Sequence, residues 1–329
     1  ETMPSPNATF TEMVTTTFRN HSGKLADNVS KHNALLNRLK KKGQIKTKSG
    51  GYSIVQELDY AENGTYQRYA GYDTLNVNAS DVLSAAEYPW AQVAIHVTAS
   101  GRELRMNSGK EAMINLVKSR ITNAMRTAAN NFTTDLYSTG ALTNQINGLG
   151  ALITTDGTGT VGGIVSGTYT FWKNQFQEIP GTNAFTGTTE LPTNIVAGMN
   201  KLWLKTTRGA DKTDLIILTH DFYVGYEGSL QQYQRYASSD MASAGFDSLK
   251  FKSADVIFDD NTSNFSTTGE IGYFLNSDYL FLIEHPDARW TQDDDKIPVN
   301  QDAVVVPIYW MGQLVCSNRA LQGRLLDAA

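Results

Sequence analysis

Cysteine and proline are both scarce in this sequence of 329 residues, which contains one cysteine, Cys316, and eight prolines. A single cysteine excludes an intramolecular disulfide and any zinc site built from several thiolates. No apolar run approaches the ~20 residues of a membrane-spanning helix, and no charged-then-apolar leader segment opens the sequence. These absences predict a soluble protein made in a reducing cytoplasm, with no membrane partner and with Cys316 in its core.

Motifs for nucleotide binding are also scarce. Residues Gly157–Gly162 match the Gly-x-Gly-x-x-Gly pattern of dinucleotide-binding turns, in which a helix must follow directly so that its N-terminus meets the pyrophosphate. The segment that follows, Gly163–Gly167, is a poor helix start, and the Gly-Lys-Ser/Thr of a phosphate-binding loop is missing. The pattern favours a surface loop, and a nucleotide-binding oxidoreductase stays a remote alternative.

The remaining polar clusters are weak candidates for catalysis or metal binding. His220–Asp221 follows the apolar run Leu215–Leu218, where Thr219, or the aspartate itself, is better placed as a helix cap than as part of a hydrolytic triad or metal site. The segment His285–Asp287 and the acidic run 293–295 lack the spacing of a calcium loop, which favours a solvated acidic turn. The sequence therefore predicts no enzyme activity, no cofactor and no metal site.

Charge is unevenly distributed along the chain. Between Arg19 and Lys48 there are nine Lys or Arg residues and one acid, Asp27, so this window carries +8; the whole chain carries −5, and the remainder therefore −13. A basic segment on an acidic body favours contact with a polyanion on one side, and a solvated helix face is an equally good interpretation. Apolar residues spaced by four and three predict a short helix from Lys24 that ends at Lys40–Lys42.

A long amphipathic helix is the most regular feature of the sequence. Ser108 and Glu111 have capping-box spacing, in which each side chain bonds the backbone amide of the other residue. No proline interrupts the segment as far as Tyr137, and Gly140 follows as a stop. At about 1.5 Å per residue the helix would span roughly 45 Å. Its apolar stripe consists of Met113, Val117, Ile121, Met125, Ala128, Phe132 and Leu136.

Extended segments lie on both sides of this helix. Residues Tyr52–Leu58 and Trp90–Val97 each predict a strand, and the Tyr- and Asn-rich residues between them predict a long antiparallel arm. A two-stranded arm is barely stable alone, so it would need a neighbouring molecule to lie on. Further on, the predicted helix Thr193–Lys205 and the buried strand Leu215–Leu218 precede other strands without a regular strand–helix–strand alternation, which predicts the α+β class.

Taken in order, several stretches of the sequence resemble the major capsid proteins of tailed bacteriophages, whose coat fold is the Hong Kong 97-like fold. The resemblance runs over nearly the whole chain and depends on the ordered set of stretches rather than on one motif. The stretches that carry it are Asp27–Leu36, Lys48–Gly51, Ala86–Gln92, Val97–Leu104, Asn107–Lys110, Asn147–Gly150, Asp259–Asp260, Phe274–Tyr279 and Gly312–Asn318.

The resemblance implies a division of the chain into the parts of this fold. Residues 1–50 would form an N-terminal arm with the short basic helix, and residues 51–100 an extended hairpin loop that reaches across a neighbouring subunit. The peripheral domain would combine residues 101–146 and 286–329 and contain the long helix 108–137 as its spine, and residues 147–285 would form the axial domain.

The resemblance also implies a structural rather than an enzymatic function. Copies of the chain would associate through pentamers and hexamers into an icosahedral shell around double-stranded phage DNA, in the host cytoplasm during assembly and in the virion afterwards. Separate scaffolding, portal and decoration proteins would be further partners. An encapsulin-like bacterial compartment shares the fold and stays as the alternative.

Two sets of residues are candidates for the contacts of such a shell. The basic residues that we expect to meet DNA phosphates without sequence preference are Arg19, Lys24, Lys31, Arg38, Lys40, Lys41 and Lys42. The residues of the extended loop that we expect to lie between subunits are Tyr52, Ile54, Tyr66, Tyr69, Tyr72 and Trp90.

One property of the family is not expected in this chain. The founding member of the fold joins its subunits by isopeptide bonds between lysine and asparagine, and that lysine lies on the extended loop. This sequence has no lysine between Gly51 and Ser108. We therefore expect no covalent crosslink and a shell held by apolar burial and hydrogen bonds. No long N-terminal region is present for a fused scaffolding domain, which implies a separate scaffold protein or none.

Overall fold

The structure, a computed structural model, describes residues 33–102, 110–179, 195–230, 249–259, 271–293, 296 and 300–327. Its helices are α1 (Ala34–Lys41), α2 (Lys110–Leu136), α3 (Leu149–Leu152), α4 (Ile195–Thr206) and α5 (His220–Ser229). Its strands are β1 (Ile45–Thr47), β2 (Ser53–Asp59), β3 (Leu83–Pro89), β4 (Ala91–Ser100), β5 (Thr160–Val161), β6 (Ile164–Val165), β7 (Gln175–Ile179), β8 (Leu215–Leu218), β9 (Leu249–Phe251), β10 (Ala254–Phe258), β11 (Ile271–Leu275), β12 (Leu280–Gln292), β13 (Ala303–Cys316) and β14 (Gly323–Asp327). Among these described segments, no helix is long and apolar enough to cross a membrane.

Two large β-sheets organise the chain. The first has the strand order β1-β12-β13-β4, in which β13 pairs antiparallel with both of its neighbours. The second has the order β7-β14-β11-β8-β10-β9 and mixes parallel pairs, such as β8 with β10, and antiparallel pairs, such as β8 with β11. Helices and strands follow one another without a repeating strand–helix–strand unit. The predicted α+β class is confirmed.

The long predicted helix is present as α2, and it packs on the four-stranded sheet. Its apolar stripe is buried at Ile121, Phe132 and Leu136. The ring of Phe132 lies nearly perpendicular to two tryptophan rings, with centroids 5.4 Å from Trp290 on β12 and 4.7 Å from Trp310 on β13. Edge-to-face contacts of this kind add to the free energy gained by burying large rings. This aromatic cluster fixes α2 on the sheet.

The C-terminal end of α2 is joined to the second sheet by a hydrogen bond. The predicted start at Ser108 lies outside the described residues, and the helix is described from Lys110. At the other end Tyr137 is fully buried, and its hydroxyl donates a hydrogen bond to Asp259 Oδ2 at 2.8 Å. Burial, together with the nearby Asp259 carboxylate, raises the pKa of the Tyr137 hydroxyl well above its usual value. The hydroxyl therefore stays protonated and ties the helix end to the residue that follows β10.

The second sheet is covered on both faces. All four residues of β8 are buried, as the sequence predicted for a strand flanked by helices. Helices α4 and α5 cover one of its faces, and the first sheet shares the core on the other. Leu215 and Ile217 enter the core that is shared with the first sheet, whereas Ile216 and Leu218 enter the core under α4 and α5. Thr219 occupies the N-cap position of α5, as predicted, but its hydroxyl makes no capping hydrogen bond.

One predicted strand pairing is wrong. The sequence pattern joined Tyr52–Leu58 and Trp90–Val97 into one arm, whereas β2 pairs with β3. The following strand, β4, pairs along its whole length with β13 of the first sheet. The sequence of β3, Leu-Ser-Ala-Ala-Glu-Tyr-Pro, contains no β-branched residue, so its pattern did not indicate a strand.

The last strand of the described chain joins the second sheet. The resemblance implies that residues 286–329 belong with the long helix. Strand β14 lies between β7 and β11 in the six-stranded sheet. The chain passes from β13 to β14 through Arg319, which is fully buried. Its guanidinium donates hydrogen bonds to the carbonyl oxygens of Leu152 at 2.7 Å and Trp172 at 2.9 Å, and to Asn174 Oδ1 at 2.8 Å. These bonds fix the segment between α3 and β7 to the connection between β13 and β14, where the chain passes from the first sheet to the second.

Cys316 lies at the end of β13 and is buried, which confirms its predicted position in the core. Burial raises the pKa of its thiol to about 12. The thiol therefore stays protonated and unreactive near neutral pH. Its backbone carbonyl oxygen accepts a hydrogen bond from the Tyr88 hydroxyl at 2.9 Å, so this position also contacts the strand pair β2–β3.

Replacing Phe132 by alanine should remove the ring that joins α2 to Trp290 and Trp310. Truncating a buried phenylalanine costs about 3–5 kcal/mol, so we expect a fall of that size in the free energy of unfolding, measured by urea denaturation. The matched control is Phe176→Ala, because the Phe176 side chain is 38% exposed and its loss should cost about 1 kcal/mol or less. Equal losses in the two variants would contradict the packing role of Phe132.

Candidate inter-subunit and nucleic-acid surfaces

The arm, defined here as residues 52–89, begins as a hairpin with one buried and one exposed face. Strands β2 and β3 pair in antiparallel register, with Ile54 opposite Tyr88 and Gln56 opposite Ala86. Ile54, Ala86 and Tyr88 are buried. Successive side chains of a strand point to opposite faces, and Val55 is accordingly exposed. One face of the hairpin therefore lies on the body of the subunit, and the other is left for a different contact.

Hydrogen bonds fasten the base of the arm to the body. The Tyr88 hydroxyl donates to the Cys316 carbonyl oxygen, and Trp90 Nε1 donates to the Gly51 carbonyl oxygen at 3.0 Å. The Trp90 ring is half-buried, and Ile54 is fully buried. Of the loop residues predicted to lie between subunits, these two are therefore placed at the base of the arm, where they contact their own subunit.

The glycine-rich loop supports the same hairpin. A strand, β6, follows Gly162 and pairs with β5. A dinucleotide-binding turn needs a helix at that point. Residues Gly157–Gly162 therefore match the motif in sequence but not in structure. Gly162 has a φ of +60°, and its carbonyl oxygen accepts a hydrogen bond from the Glu87 amide at 2.9 Å. A Cβ atom at Gly162 would lie 2.8 Å from Ala86 Cβ, which is too close for two carbon atoms. The loop can therefore approach the arm this closely because residue 162 has no side chain.

The distal part of the arm, residues 60–82, is held by side-chain hydrogen bonds. Asn63 Oδ1 accepts a hydrogen bond from the Ser80 hydroxyl at 3.1 Å, and Gln67 Oε1 accepts one from the Asn76 amide at 3.3 Å. Both bonds cross from one limb of the loop to the other, although residues 60–82 form no strand. Asn and Gln side chains thus keep the limbs side by side where a backbone ladder is missing.

Exposed apolar side chains are concentrated on this arm. Of the fourteen large apolar side chains that are exposed among the described residues, eight lie between positions 52 and 83. The predicted contact residues Tyr52, Tyr66, Tyr69 and Tyr72 are exposed at 102%, 84%, 65% and 106%. Concentrations of exposed apolar surface mark interaction sites in soluble proteins. All four predicted tyrosines therefore belong to a surface that the described part of the subunit does not cover.

The basic segment is described from Asn33 onward and contains α1. Asn33 caps this helix, since its Oδ1 atom accepts a hydrogen bond from the Leu36 amide at 3.0 Å. Leu36 and Leu39 of the predicted apolar seam are buried. Gly43, with a φ of +67°, follows the end of the helix. The predicted phosphate-contacting residues that lie outside the described residues are Arg19, Lys24 and Lys31.

Four residues of the predicted DNA-contacting set, Arg38 and Lys40–Lys42, lie on α1 or directly after it. Arg38 and Lys42 are four residues apart and bind carboxylates of the body. The Arg38 guanidinium forms an ion pair with Asp255, and Lys42 Nζ lies 2.8 Å from Asp278 Oδ1. Lys40, Lys41 and Lys42 are exposed, whereas Arg38 is half-buried. Three of these four cations therefore lie on the surface of the described part of the subunit.

The other polar clusters from the sequence stay small. His220 Nδ1 lies 3.2 Å from Asp221 Oδ1, and both side chains are largely exposed on the first turn of α5. The His285 ring accepts a hydrogen bond from the Asp287 amide at 3.2 Å, and residues 294–295 lie outside the described ranges. In the part of the chain that the structure describes, no group of three or more His, Cys, Asp or Glu residues is placed to hold a metal ion.

Sequence reasoning missed the acidic partners of α1. Asp255 lies in β10, and Asp214 immediately precedes the buried strand β8. A carboxylate beside a buried apolar run needs a cation or hydrogen-bond donors, which is a signal the sequence contained. The sequence could not show which cation supplies the charge, because Arg38 lies 176 and 217 positions from these two partners.

No protein-family model and no curated protein matches the chain. Among solved structures, the capsid of cyanophage A-1(L) is similar over 86% of this chain and 89% of its own, with a TM-score of 0.61 and 16% identity. The capsid of cyanophage P-SCSP1u has a TM-score of 0.54 and 12% identity over 87% of this chain and 86% of its own. The capsid of Myoviridae phage XM1 has a TM-score of 0.53 and 12% identity over 88% and 92%. The chain therefore has the fold of these phage coat proteins, and the predicted Hong Kong 97-like fold is confirmed.

Two neighbouring glycines test the support of the arm. Gly162 and Gly163 both have positive φ, at +60° and +76°, but only at Gly162 would a Cβ atom meet the arm. Gly163→Ala should cost about 1 kcal/mol from backbone strain alone. Gly162→Ala should cost about 1–3 kcal/mol more, because the methyl group displaces Ala86.

Urea denaturation measures both costs, and limited proteolysis within residues 60–82 reports on the arm itself. We expect faster cleavage in Gly162→Ala than in Gly163→Ala. The same stability and the same cleavage rate in the two variants would show that the glycine-rich loop does not support the arm.

Proposed function

We propose that this chain is the major coat subunit of a tailed bacteriophage. It assembles through pentamers and hexamers into an icosahedral shell around double-stranded DNA, in the host cytoplasm first and in the virion afterwards. Its role is structural rather than catalytic, and the fold that it shares with phage capsid proteins supports a shell role. The single observation that carries the proposal is the exposure of tyrosines on the distal part of the arm. This part, residues 60–82, is called the tip below, and the described part of the subunit does not cover its tyrosines.

The arm suits repeated association of identical copies. If the arm of one copy lies on a different surface of the next, the contact is heterologous, and such contacts close into rings. A tyrosine buries about 150–250 Å² when it is covered. Four tyrosines would therefore contribute on the order of 10 kcal/mol per arm before the entropy of ordering is subtracted. This contribution replaces the covalent bond that a lysine on the arm would supply.

The basic segment suits the inner side of the shell. Lys40 and Lys41 are exposed beside each other on α1, and the basic residues Arg19, Lys24 and Lys31 precede them. Lysine and arginine contact DNA phosphates without reading the sequence. The rest of the chain is acidic and is repelled by DNA, so an inward basic segment orients each subunit in the wall.

The two sheets suit the two domains of the coat fold. We assign the four-stranded sheet with α2 to the peripheral domain and the six-stranded sheet with α4 and α5 to the axial domain. The predicted ranges, 101–146 with 286–329 and 147–285, then change in two ways. Strand β14 joins the axial domain, because it pairs with β7 and β11. Strands β1 and β4 and residues 280–285 of β12 join the peripheral domain, because they belong to the four-stranded sheet. In this arrangement α2 is the spine of the peripheral domain, and the arm leaves from the edge of the same domain.

Electron microscopy of the purified protein tests the proposal. Shells or rings of capsomers that contain nucleic acid, detected by absorbance at 260 nm, are the expected result. A compact monomer under every assembly condition would contradict the proposal. Shells that enclose a protein cargo and no nucleic acid would instead favour the encapsulin-like compartment.

Removing the tyrosines at the tip of the arm should separate folding from assembly. The triple variant Tyr66→Ser, Tyr69→Ser, Tyr72→Ser should unfold at the urea concentration of the unchanged protein, since each of these side chains is at least 65% exposed. It should form no shells by light scattering, because the apolar surface of the arm is lost. The matched control is Tyr169→Ser, a 53% exposed tyrosine outside the arm, which should assemble normally. Normal shells from the triple variant would rule out the arm as the contact between subunits.

Assembled shells should contain no covalent links between subunits. Boiled in detergent and run on a denaturing gel, they should give a single band at the chain mass of 36.2 kDa. The reason is that no lysine lies between Gly51 and Ser108 to form an isopeptide bond from the arm. A ladder of multiples of the chain mass would show that a lysine elsewhere takes part in crosslinking.

A further inference from the structure

The tip of the arm contains an asparagine followed by a glycine, Asn63–Gly64, in exposed backbone. A backbone nitrogen reaches the side-chain amide of the preceding asparagine with least hindrance when it belongs to glycine, because glycine has no Cβ atom. The chain contains one further pair of this kind, Asn147–Gly148. The surroundings of the two pairs differ, and those of Asn63 suit a reaction between side chain and backbone.

Three hydrogen-bond donors converge on the side-chain oxygen of Asn63. The Thr65 amide nitrogen lies 3.0 Å from Asn63 Oδ1, the Thr65 hydroxyl 2.8 Å and the Ser80 hydroxyl 3.1 Å. Donors at a carbonyl oxygen stabilise the negative charge that the oxygen acquires when a nucleophile attacks the carbonyl carbon. Asn63, Thr65 and Ser80 are called the clasp below. The clasp therefore polarises the Asn63 amide group for attack.

Ser80 also contacts the nucleophile of such an attack. The Gly64 backbone nitrogen donates a hydrogen bond to Ser80 Oγ at 3.1 Å, and the same hydroxyl donates its own hydrogen to Asn63 Oδ1. A hydroxyl group accepts and donates at the same time. Ser80 is thus placed to take the proton of the Gly64 amide while it passes its own proton to Asn63 Oδ1. This is the work of a general acid and base.

We propose that Asn63–Gly64 is a site of spontaneous deamidation, at which the clasp promotes the formation of a succinimide. The Gly64 nitrogen forms a bond to Asn63 Cγ while Ser80 relays the proton to Oδ1. The tetrahedral carbon then loses the side-chain nitrogen as ammonia, which takes up the relayed proton, and Ser80 is left unchanged. Water opens the succinimide ring and leaves either aspartate or isoaspartate at position 63.

The second pair, Asn147–Gly148, lies in packed backbone. Gly148 is buried, and a Cβ atom there would lie 2.4 Å from the Ser138 nitrogen. The Asn147 amide donates a hydrogen bond to Gln313 Oε1 at 2.9 Å. Ring closure requires the backbone on both sides of the asparagine to move, and close packing opposes such movement. This pair therefore provides an internal control for the first.

The conversion would change the tip in two ways. It adds a negative charge to an arm that has six acidic residues and one basic residue between positions 52 and 89. An isoaspartyl link also adds one carbon atom to the main chain, which displaces Asn63 from Ser80 and loosens the two limbs. Free subunits would then age at the surface proposed for contact between copies. This consequence rests on the proposed function, whereas the chemistry does not.

Mass spectrometry of the full-length protein after incubation at neutral pH tests the proposal. Peptides that contain Asn63 and Asn147 are compared after proteolysis, and loss of ammonia followed by gain of water is expected at Asn63 and not at Asn147. The same incubation in guanidinium chloride removes the clasp, so conversion at Asn63 should be slower there than in the folded protein. Faster conversion at Asn63 in the denaturant would overturn the proposal, and so would its absence from the folded protein.

Two variants separate the chemistry from the connection between the limbs. Ser80→Ala removes the relay and one donor. A general acid or base contributes about 10²–10⁴-fold in enzymes, and on this exposed loop we expect conversion at least about tenfold slower without it. Gly64→Ala is the matched variant that keeps the clasp, because its Cβ atom would lie 3.5 Å from Ser80 Oγ, an ordinary contact. Its methyl group should suppress conversion by hindering the attack.

The denaturation midpoint should be the same in both variants as in the unchanged protein, since the exchanged side chains lie on the arm and outside the core. Conversion in Ser80→Ala at the original rate or faster would overturn the proposal, because the clasp would then be neutral or protective. Conversion in Gly64→Ala at the original rate would overturn it as well, since the Gly64 nitrogen would not be the nucleophile.

Discussion

The buried guanidinium of Arg319 lies where the chain passes from the four-stranded to the six-stranded sheet, and it donates hydrogen bonds to the segment between α3 and β7. That segment carries Gly162, which bears on the inner face of the arm. Removing the arginine would take this donor from the carbonyl oxygens of Leu152 and Trp172. Arg319 therefore contributes both to the junction of the two sheets and to the support of the arm.

Local patterns in the sequence were enough to predict α2, the buried strand β8, the N-cap position of Thr219 and the burial of Cys316. Each of these follows from periodicity or from a residue type within a few positions. The pairing of β2 with β3 and the place of β14 depend on contacts between distant parts of the chain, which no local pattern contains. The arm was expected from its composition, but its partner strand was not, because β3 is rich in alanine rather than in β-branched residues.

The charge of the basic segment also depends on contacts between distant residues that the sequence does not show. Counting residues gives the window a charge of +8, yet Arg38 and Lys42 are paired with the carboxylates of Asp255 and Asp278 in the subunit's own body. Net charge therefore overstates what a polyanion meets on α1. Part of the acidic character of the body thus holds the basic helix in place.

In the proposed shell, the separation of the arm into a fastened base and an uncovered distal part would have a consequence for mixtures of subunits. A subunit with a normal body and a defective distal part could still receive the arm of a neighbour, but it would offer none to the next. Every ring that incorporated such a subunit would have one open joint. Because a closed shell needs every joint, a small fraction of defective copies would stop many shells from closing. The proposed assembly would therefore be vulnerable to dominant-negative interference.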